Sequence, residues 1–341
     1  MKRKYAGIRI RTAAVCAAAA VLAGGCGTAR QTAAEAPDGS QDSGPRLLGV
    51  CLASYEDPYM ELYRRELRKY LLEEKGMKED DILVAYAADD PEKQSRQLEE
   101  LLGCGVDAVI LDAVNEDCIP AAVDRCAQAQ VPVVCVGQEP EPEETARWET
   151  EDLAAAYVGS DRQQTGVLQG ELILETRTGG DIDRDGTLSY VVLTDRGGSE
   201  SARRQAESAE AVLRESGLRL RKLYEGRTGG SEERAREEAG RAFGLFGSRV
   251  EAVICESDAM AEGARQAAQD AGYRPGKDLY LVGADGLEET VRHIKEGTVT
   301  GTVLTDYRLQ SHTAADMALA MAAGDPVERE YRTEGIKIAA E

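Results

Sequence analysis

Three aspartates stand where apolar runs end: Asp57 beyond residues 47–53, Asp112 at the end of 108–112, and Asp285 just after 279–283. A carboxylate so placed can accept two hydroxyl hydrogen bonds, and each hydrogen bond to a charged partner contributes about 1.5–3 kcal/mol. Aspartate at a strand end also serves turns and helix caps, so each position has a structural alternative. A fourth acidic feature is denser. Asp181-Ile182-Asp183-Arg184-Asp185-Gly186-Thr187-Leu188-Ser189 carries carboxylates at positions 1, 3 and 5 of a calcium loop and glycine at 6. In such a loop Thr187 offers its carbonyl and Ser189, at position 9, ligates directly or through water. Val192 occupies position 12, where a bidentate Glu would complete an EF-hand. The alternative is an acidic turn between helix and strand that holds no metal.

Catalytic chemistry finds few residues. The two histidines, His293 and His312, fall in charged helical stretches that favour solvated imidazoles, and no G-x-S-x-G, H-E-x-x-H or G-x-x-x-x-G-K-[ST] string occurs. Asp57 and Asp285 could form a glycosidase pair. A site that only binds also gathers carboxylates, so no enzyme is expected. Beyond Cys16 and Cys26 there are six cysteines and no C-x-x-C. Cys51, Cys135 and Cys255 sit in apolar runs as small hydrophobes. A disulfide among Cys104, Cys118 and Cys126 is left open.

The elements that must position these residues alternate. Apolar runs at 47–53, 82–87, 108–112 and 131–136 interleave with helical periodicity at 61–74, 92–102 and 119–129. After 154–159 the pattern restarts, with strands at 188–194, 218–224, 252–255 and 279–283 and helices at 163–175, 202–215, 232–246 and 259–271. Alternation of this kind signals βαβ units, an α/β fold with doubly wound parallel sheets, and two successive sets imply two similar lobes. Ligands of open α/β sheets bind beyond the carboxyl ends of strands, which is where the three aspartates lie.

The N-terminus and net charge bound the setting. Five basic residues precede an apolar run at 13–23 that ends in small residues, the plan of a signal peptide over 1–25. That run is about half the ~20 residues a membrane-spanning helix needs. Val21-Leu22-Ala23-Gly24-Gly25-Cys26 resembles a bacterial lipobox, with Leu22 one place early, so Cys26 is expected to be lipidated and to tether the chain to the membrane through 26–45, a segment without periodicity. Removing the five basic residues of 1–25 takes the net charge from −21 to −26. A surface so acidic disfavours nucleic acid as a partner and does not attract anionic lipid headgroups.

Several strings then resemble the galactose/glucose-binding proteins of sugar ABC transporters: Leu48-Gly49-Val50 with Tyr55 to Met60, Tyr157-Val158-Gly159-Ser160-Asp161 with Gly166 and Gln169-Gly170, Ser257 to Ala261, Gly283-Ala284-Asp285-Gly286 and Gly301 to Leu304. The likeness spans nearly all of 46–325. It implies a type I periplasmic-binding-protein fold whose lobes are joined by a three-stranded hinge, with lobe 1 at 46–157 plus 307–341 and lobe 2 at 158–306. It further implies an extracytoplasmic, lipid-anchored binder of a sugar or polyol that serves ABC transporter membrane subunits, or a sensor that presents its solute to a receptor kinase or chemoreceptor.

Carried over position by position, the family's ligand contacts fall on Asp57, Tyr59, Asp112, Ser199, Ser201, Gln205, Ser257, Asp285 and Thr305. Tyr59 replaces a stacking aromatic, the second such aromatic is absent near 227–230, and Asp112, Ser257 and Thr305 stand where the family has amides. A cleft of carboxylates and small hydroxyls follows, suited to a sugar, a polyol or a solute bearing positive charge. The family's calcium loop runs straight into a strand and is completed by a distant Glu. That pattern assigns Glu251 to a structural Ca2+ with Asp181, Asp183, Asp185, Thr187 and Ser189.

Overall fold

The computed structural model describes residues 47–55, 57–195 and 199–340; the expected signal peptide over 1–25, the expected tether over 26–45 and Cys26 lie outside the described residues. Two six-stranded sheets form. The first takes β1 (Leu48–Leu52), β2 (Ile82–Tyr86), β3 (Ala108–Asp112), β4 (Val133–Val136), β5 (Ala155–Ser160) and β11 (Glu330–Thr333) in the order β11-β5-β4-β3-β1-β2. Its strands are all parallel. The second takes β6 (Thr187–Thr194), β7 (Arg219–Arg227), β8 (Ala252–Cys255), β9 (Tyr280–Asp285), β10 (Gly301–Leu304) and β12 (Ile336–Ala339) in the order β12-β10-β9-β8-β6-β7.

Helices cover both faces of each sheet, which is why central strands read as unbroken apolar runs rather than alternating ones. In β1, Leu48, Val50 and Leu52 pack on one side with Tyr63, Leu67 and Leu71 of α1 (Pro58–Glu73). Cys51 faces the other side with Leu98 of α2 (Pro91–Gly103), Val123 of α3 (Ile119–Ala129) and Trp148 of α4 (Pro142–Thr150). The second sheet is sandwiched likewise by α5 (Arg162–Leu174) and α6 (Glu200–Glu215) on one face and by α7 (Glu232–Phe246) and α8 (Asp258–Asp270) on the other, with α9 (Glu288–Lys295) beside them. All six cysteines among the described residues are free, and Cys51, Cys135 and Cys255 are fully buried.

The chain passes between sheets three times: after β5, between β10 and α10 (Tyr307–Ala322), and between β11 and β12. Two boundaries differ from expectation. The first sheet keeps β5 through Ser160, so the first passage falls at Asp161 rather than between 157 and 158. Residues 336–339, expected in the first lobe, form β12 and pair antiparallel with β10 in the second. The physical reason is edge closure: β10 would otherwise present an unpaired rim, and Ile338 adds its side chain to that lobe's core.

Helices α5 and α6 approach until backbone meets backbone. A Cβ added at Gly166 would lie 2.0 Å from the carbonyl oxygen of Gln205. Gly166→Val is therefore expected to destabilise the fold by about 1–3 kcal/mol or more through overpacking, read as a lower urea midpoint. Gly240, inside α7 with open space where a methyl group would stand, gives the contrast. Gly240→Ala is expected to stabilise by roughly 0.5–1 kcal/mol, and equal effects of the two changes would contradict the packing account.

Candidate functional site

The carboxyl ends of the two sheets meet around a cavity of about 90 Å³. The first lobe contributes Asp57, Tyr59, Asp112 and Gln138; the second contributes Arg162, Asp195, Glu256, Ser257, Asp285 and Thr305. An outer chamber of about 620 Å³ shares Asp57, Asp112 and Asp195 with it and reaches Tyr55, Glu232 and Glu233.

Asp57 does two things at once. Its Oδ1 accepts from the Tyr59 and Met60 amides at 2.8 and 3.1 Å, capping α1, while Oδ2 has no hydrogen bond among the described residues. The capping alternative therefore accounts for one oxygen and leaves the other for the cleft. Asp112 is 5% exposed, and its Oδ2 accepts from the Ala53 amide at 3.1 Å. Asp285, the last residue of β9, holds φ at +116°, a conformation that costs a non-glycine residue about 1–3 kcal/mol. Behind it the buried Asp258 accepts from Thr302 Oγ1 at 2.6 Å and the Leu287 amide at 2.8 Å, pinning the turn that carries Asp285. Ser257 caps α8, and Thr305 donates its amide to the Asp285 carbonyl.

Tyr59 lines the cavity, but its hydroxyl is committed to Gln310 Oε1 at 2.8 Å. Gln310 Nε2 in turn donates to Ser160 Oγ and Thr333 Oγ1, at 3.1 and 2.7 Å. One amide thus ties together the ends of β5 and β11 and the start of α10, which border all three passages between lobes.

Three expected contacts lie elsewhere. Ser199, Ser201 and Gln205 do not line the cavity, because α6 turns them toward its own packing: Ser199 caps the helix, Ser201 is buried, and Gln205 supports other residues from behind. Gln205 Nε2 donates to Gln169 Oε1 and the Glu256 carbonyl, while its Oε1 accepts from Arg162. Arg162 is a cleft residue that sequence reasoning missed, along with Gln138, Asp195 and Glu256. It opens α5 directly after the first passage, lines the cavity, and has no partner for Nε among the described residues. The available signal was position: a basic residue one step past the recognisable Ser160-Asp161. Arg204 crosses the gap between lobes to Glu139 and Glu141, at 3.8 and 3.6 Å, and Glu116 accepts from the Glu200 amide at 2.9 Å. His293 is buried rather than solvated, with Nδ1 2.9 Å from Glu262 Oε1, whereas His312 pairs with Glu66 at the surface.

Far from the cleft, Asp181, Asp183 and Glu251 each place a carboxylate oxygen within 4.8 Å of the others. Glu251 is buried and accepts from the Ile182 and Ser189 amides, both at 2.8 Å, so it fastens the loop to the start of β6. Three hard oxygen donors at this spacing fit a divalent cation. Asp185 is outside that group and accepts from the Thr187 amide at 2.7 Å; Thr187 and Ser189 are buried residues of β6.

Two doubly wound lobes closing on a carboxylate-lined cavity define a solute-binding protein of the two-lobe class. Residues 48–326 match the family described as Periplasmic binding protein domain, and the chain belongs to it. Members bind solutes without transforming them and work outside the cytoplasm. A D-galactose/methyl-galactoside binding periplasmic protein of Haemophilus influenzae is 27% identical over 296 residues, 85% of this chain and 84% of that one. The Caulobacter myo-inositol binding protein, solved with myo-inositol, shares the fold at TM-score 0.75 and 20% identity, covering 87% and 94% of the two chains. A fructose binding periplasmic domain of a hybrid two component system does so at TM-score 0.71 and 20% identity, covering 86% and 90%.

Burial dominates the electrostatics. Desolvation pushes the Asp112 carboxyl up to about 8, with the Ala53 amide opposing and Asp57 adding to the rise. Asp258 is pushed up to about 7 for the same first reason. Desolvation, then the charges of Asp258 and Asp57, raises Asp285 well above the usual carboxylate range. Asp57 is also raised by its place between the lobes, but water reaches its side chain, so its burial weighs less than that of Asp112. For Asp112 the folded state holds a proton that the unfolded chain loses near pH 4. Its stabilising share is therefore complete below that pH and is lost as pH rises toward about 8. The melting temperature of the empty protein is expected to fall more steeply between pH 5 and 8 than that of Asp112→Asn; parallel curves would contradict a protonated Asp112.

Proposed function

We propose that this chain captures a small polyhydroxyl solute, a sugar or polyol, between its lobes and delivers it to the membrane subunits of an ABC transporter. The observation that carries this reading is the convergence of Asp57 and Asp112 from one sheet edge and Asp285 from the other on a single cavity. Carboxylates of this kind accept from paired hydroxyls, and the hinge between lobes lets them close over what they hold. The galactoside-binding relative and the inositol-bound neighbour support that solute class. Lipid attachment at Cys26 would keep the protein beside its transporter. A sensor that presents the same solute to a signalling partner is the second reading, favoured by the likeness to a binding domain of a two component system.

Calcium has a structural place in this reading. Asp181, Asp183 and Glu251 would hold it, with the Thr187 carbonyl as a further donor, and the ion would relieve the repulsion of carboxylates gathered at one point. Chelation is expected to lower the melting temperature, and Asp181→Ala or Glu251→Ala to abolish that sensitivity. Melting that ignores both chelator and added calcium would contradict the site.

The solute class is tested by a thermal-shift screen against monosaccharides and polyols, since a ligand at 100 times its Kd adds about 2.7 kcal/mol to folding stability. At least one is expected to raise the melting temperature by several degrees. Asp57→Asn, which keeps the cap on α1, and Asp285→Asn are each expected to weaken binding of that hit at least tenfold, with the empty protein melting within a few degrees of the parent. Unchanged affinity in both variants would remove them from the site.

A further inference from the structure

The cleft is unequally charged. Arg162 is the one basic side chain among its described lining residues, and it faces Asp57, Asp112, Asp195, Glu256 and Asp285. Glu256 is the anion that acts most strongly on Arg162, so those two offset each other. Asp112 is held as the neutral acid. Asp57, Asp195 and Asp285 are left, and of these Asp57 and Asp285, one from each lobe, have no ion-pair partner among the described residues. Burial raises both carboxyls and the charge of Asp57 adds to the rise at Asp285, which a cation between them would reverse. Asp285 is kept in place at the cost of a strained backbone, with only a long 3.4 Å contact from the Asp258 amide to its Oδ2. The outer chamber adds Glu232 and Glu233 against Arg234, so the route inward is acidic as well.

A neutral sugar offers the Asp57 and Asp285 carboxyls hydroxyl donors in place of water but no countercharge, so the repulsion between them stays uncompensated. Binding by shape is also weakly provided for. Tyr59 is the one aromatic among the described lining residues, and Gly230 lines the side where a second ring could have closed a sandwich. A cationic centre corrects the imbalance directly, and an acidic mouth concentrates cations before they bind.

We infer that the solute is a basic polyhydroxyl compound, an amino sugar or aminopolyol, whose ammonium group sits between Asp57 and Asp285 while its hydroxyls meet Asp112, Arg162 and Ser257. This rests on the reading of the cleft as a polyol site and narrows it.

The test is calorimetric titration of the purified protein at pH 7 with matched sets: D-glucosamine beside D-glucose and N-acetyl-D-glucosamine, D-galactosamine beside D-galactose and its N-acetyl form, and 1-amino-1-deoxy-D-sorbitol beside D-sorbitol. The expected result is an amine that binds at least tenfold tighter than both neutral counterparts. In Asp285→Asn the ratio of amine to neutral affinity is expected to fall at least fivefold, and rising salt to weaken the amine more than the neutral compounds. Neutral members that bind as tightly as their amines, or a ratio unmoved in Asp285→Asn, overturn the charge assignment and leave the polyol reading standing. Failure of every amine and every neutral member to bind overturns both.

Discussion

Carboxyl groups brought from two sheet edges into one shared cleft must find donors, a countercharge or a proton, and the surrounding structure is arranged around that demand. Asp57 takes two amides from the start of α1, Asp112 takes one from Ala53, and Asp258 takes Thr302 and Leu287 so that the turn bearing Asp285 cannot relax. Arg162 is held from behind by Gln205, itself fixed to Gln169, whose side chain spans the carbonyls of Cys255 and Gly283. The close approach of α5 to α6 at Gly166 makes that relay possible, because a bulkier residue would push Gln205 away from Arg162. Packing in the second lobe and charge placement in the cleft are thus one problem.

The same economy links the cleft to the hinge. Tyr59 is both a wall of the cavity and the donor to Gln310, and Gln310 binds residues flanking every passage between the lobes. A solute that presses on Tyr59 acts on the joint about which closure occurs. On the far rim, Arg204 with Glu139 and Glu141, and Glu116 with the start of α6, bridge the lobes directly. Arg204 and Glu139 are largely buried, so the cost of taking both charges out of water offsets much of their attraction, and at 3.8 and 3.6 Å the pairs can favour a closed arrangement without locking it.

Much of this was legible in the residues. Runs such as Val133–Val136 read as buried strands because both faces of each sheet are covered, and the carboxylates at their ends were visible for the same reason. The Asp181–Asp183–Glu251 group was readable from loop spacing plus a family pattern. What escaped depended on contacts between distant segments. Nothing local in 336–339 says that it pairs with β10, since the need for a partner belongs to the edge of another strand. His293 looks solvated in a charged helix until Glu262 is brought beside it. Ser199, Ser201 and Gln205 occupy the right stretch of chain, but the rotation of α6 about its axis decides which of its faces meets the cleft, and a short polar pattern does not specify that angle. Arg162 shows the converse, a polar residue whose role appears only once two lobes enclose it.

The claim at the centre of this account is that Asp57 and Asp285 act as a pair on a solute between the lobes. The measurement that addresses it most directly is a crystal structure of the protein grown with the tightest solute found in solution. Density for that solute within hydrogen-bond reach of both carboxylates, and of Arg162, is the expected result. A solute bound outside the cleft, or inside it with Asp57 and Asp285 both out of reach, would contradict the account.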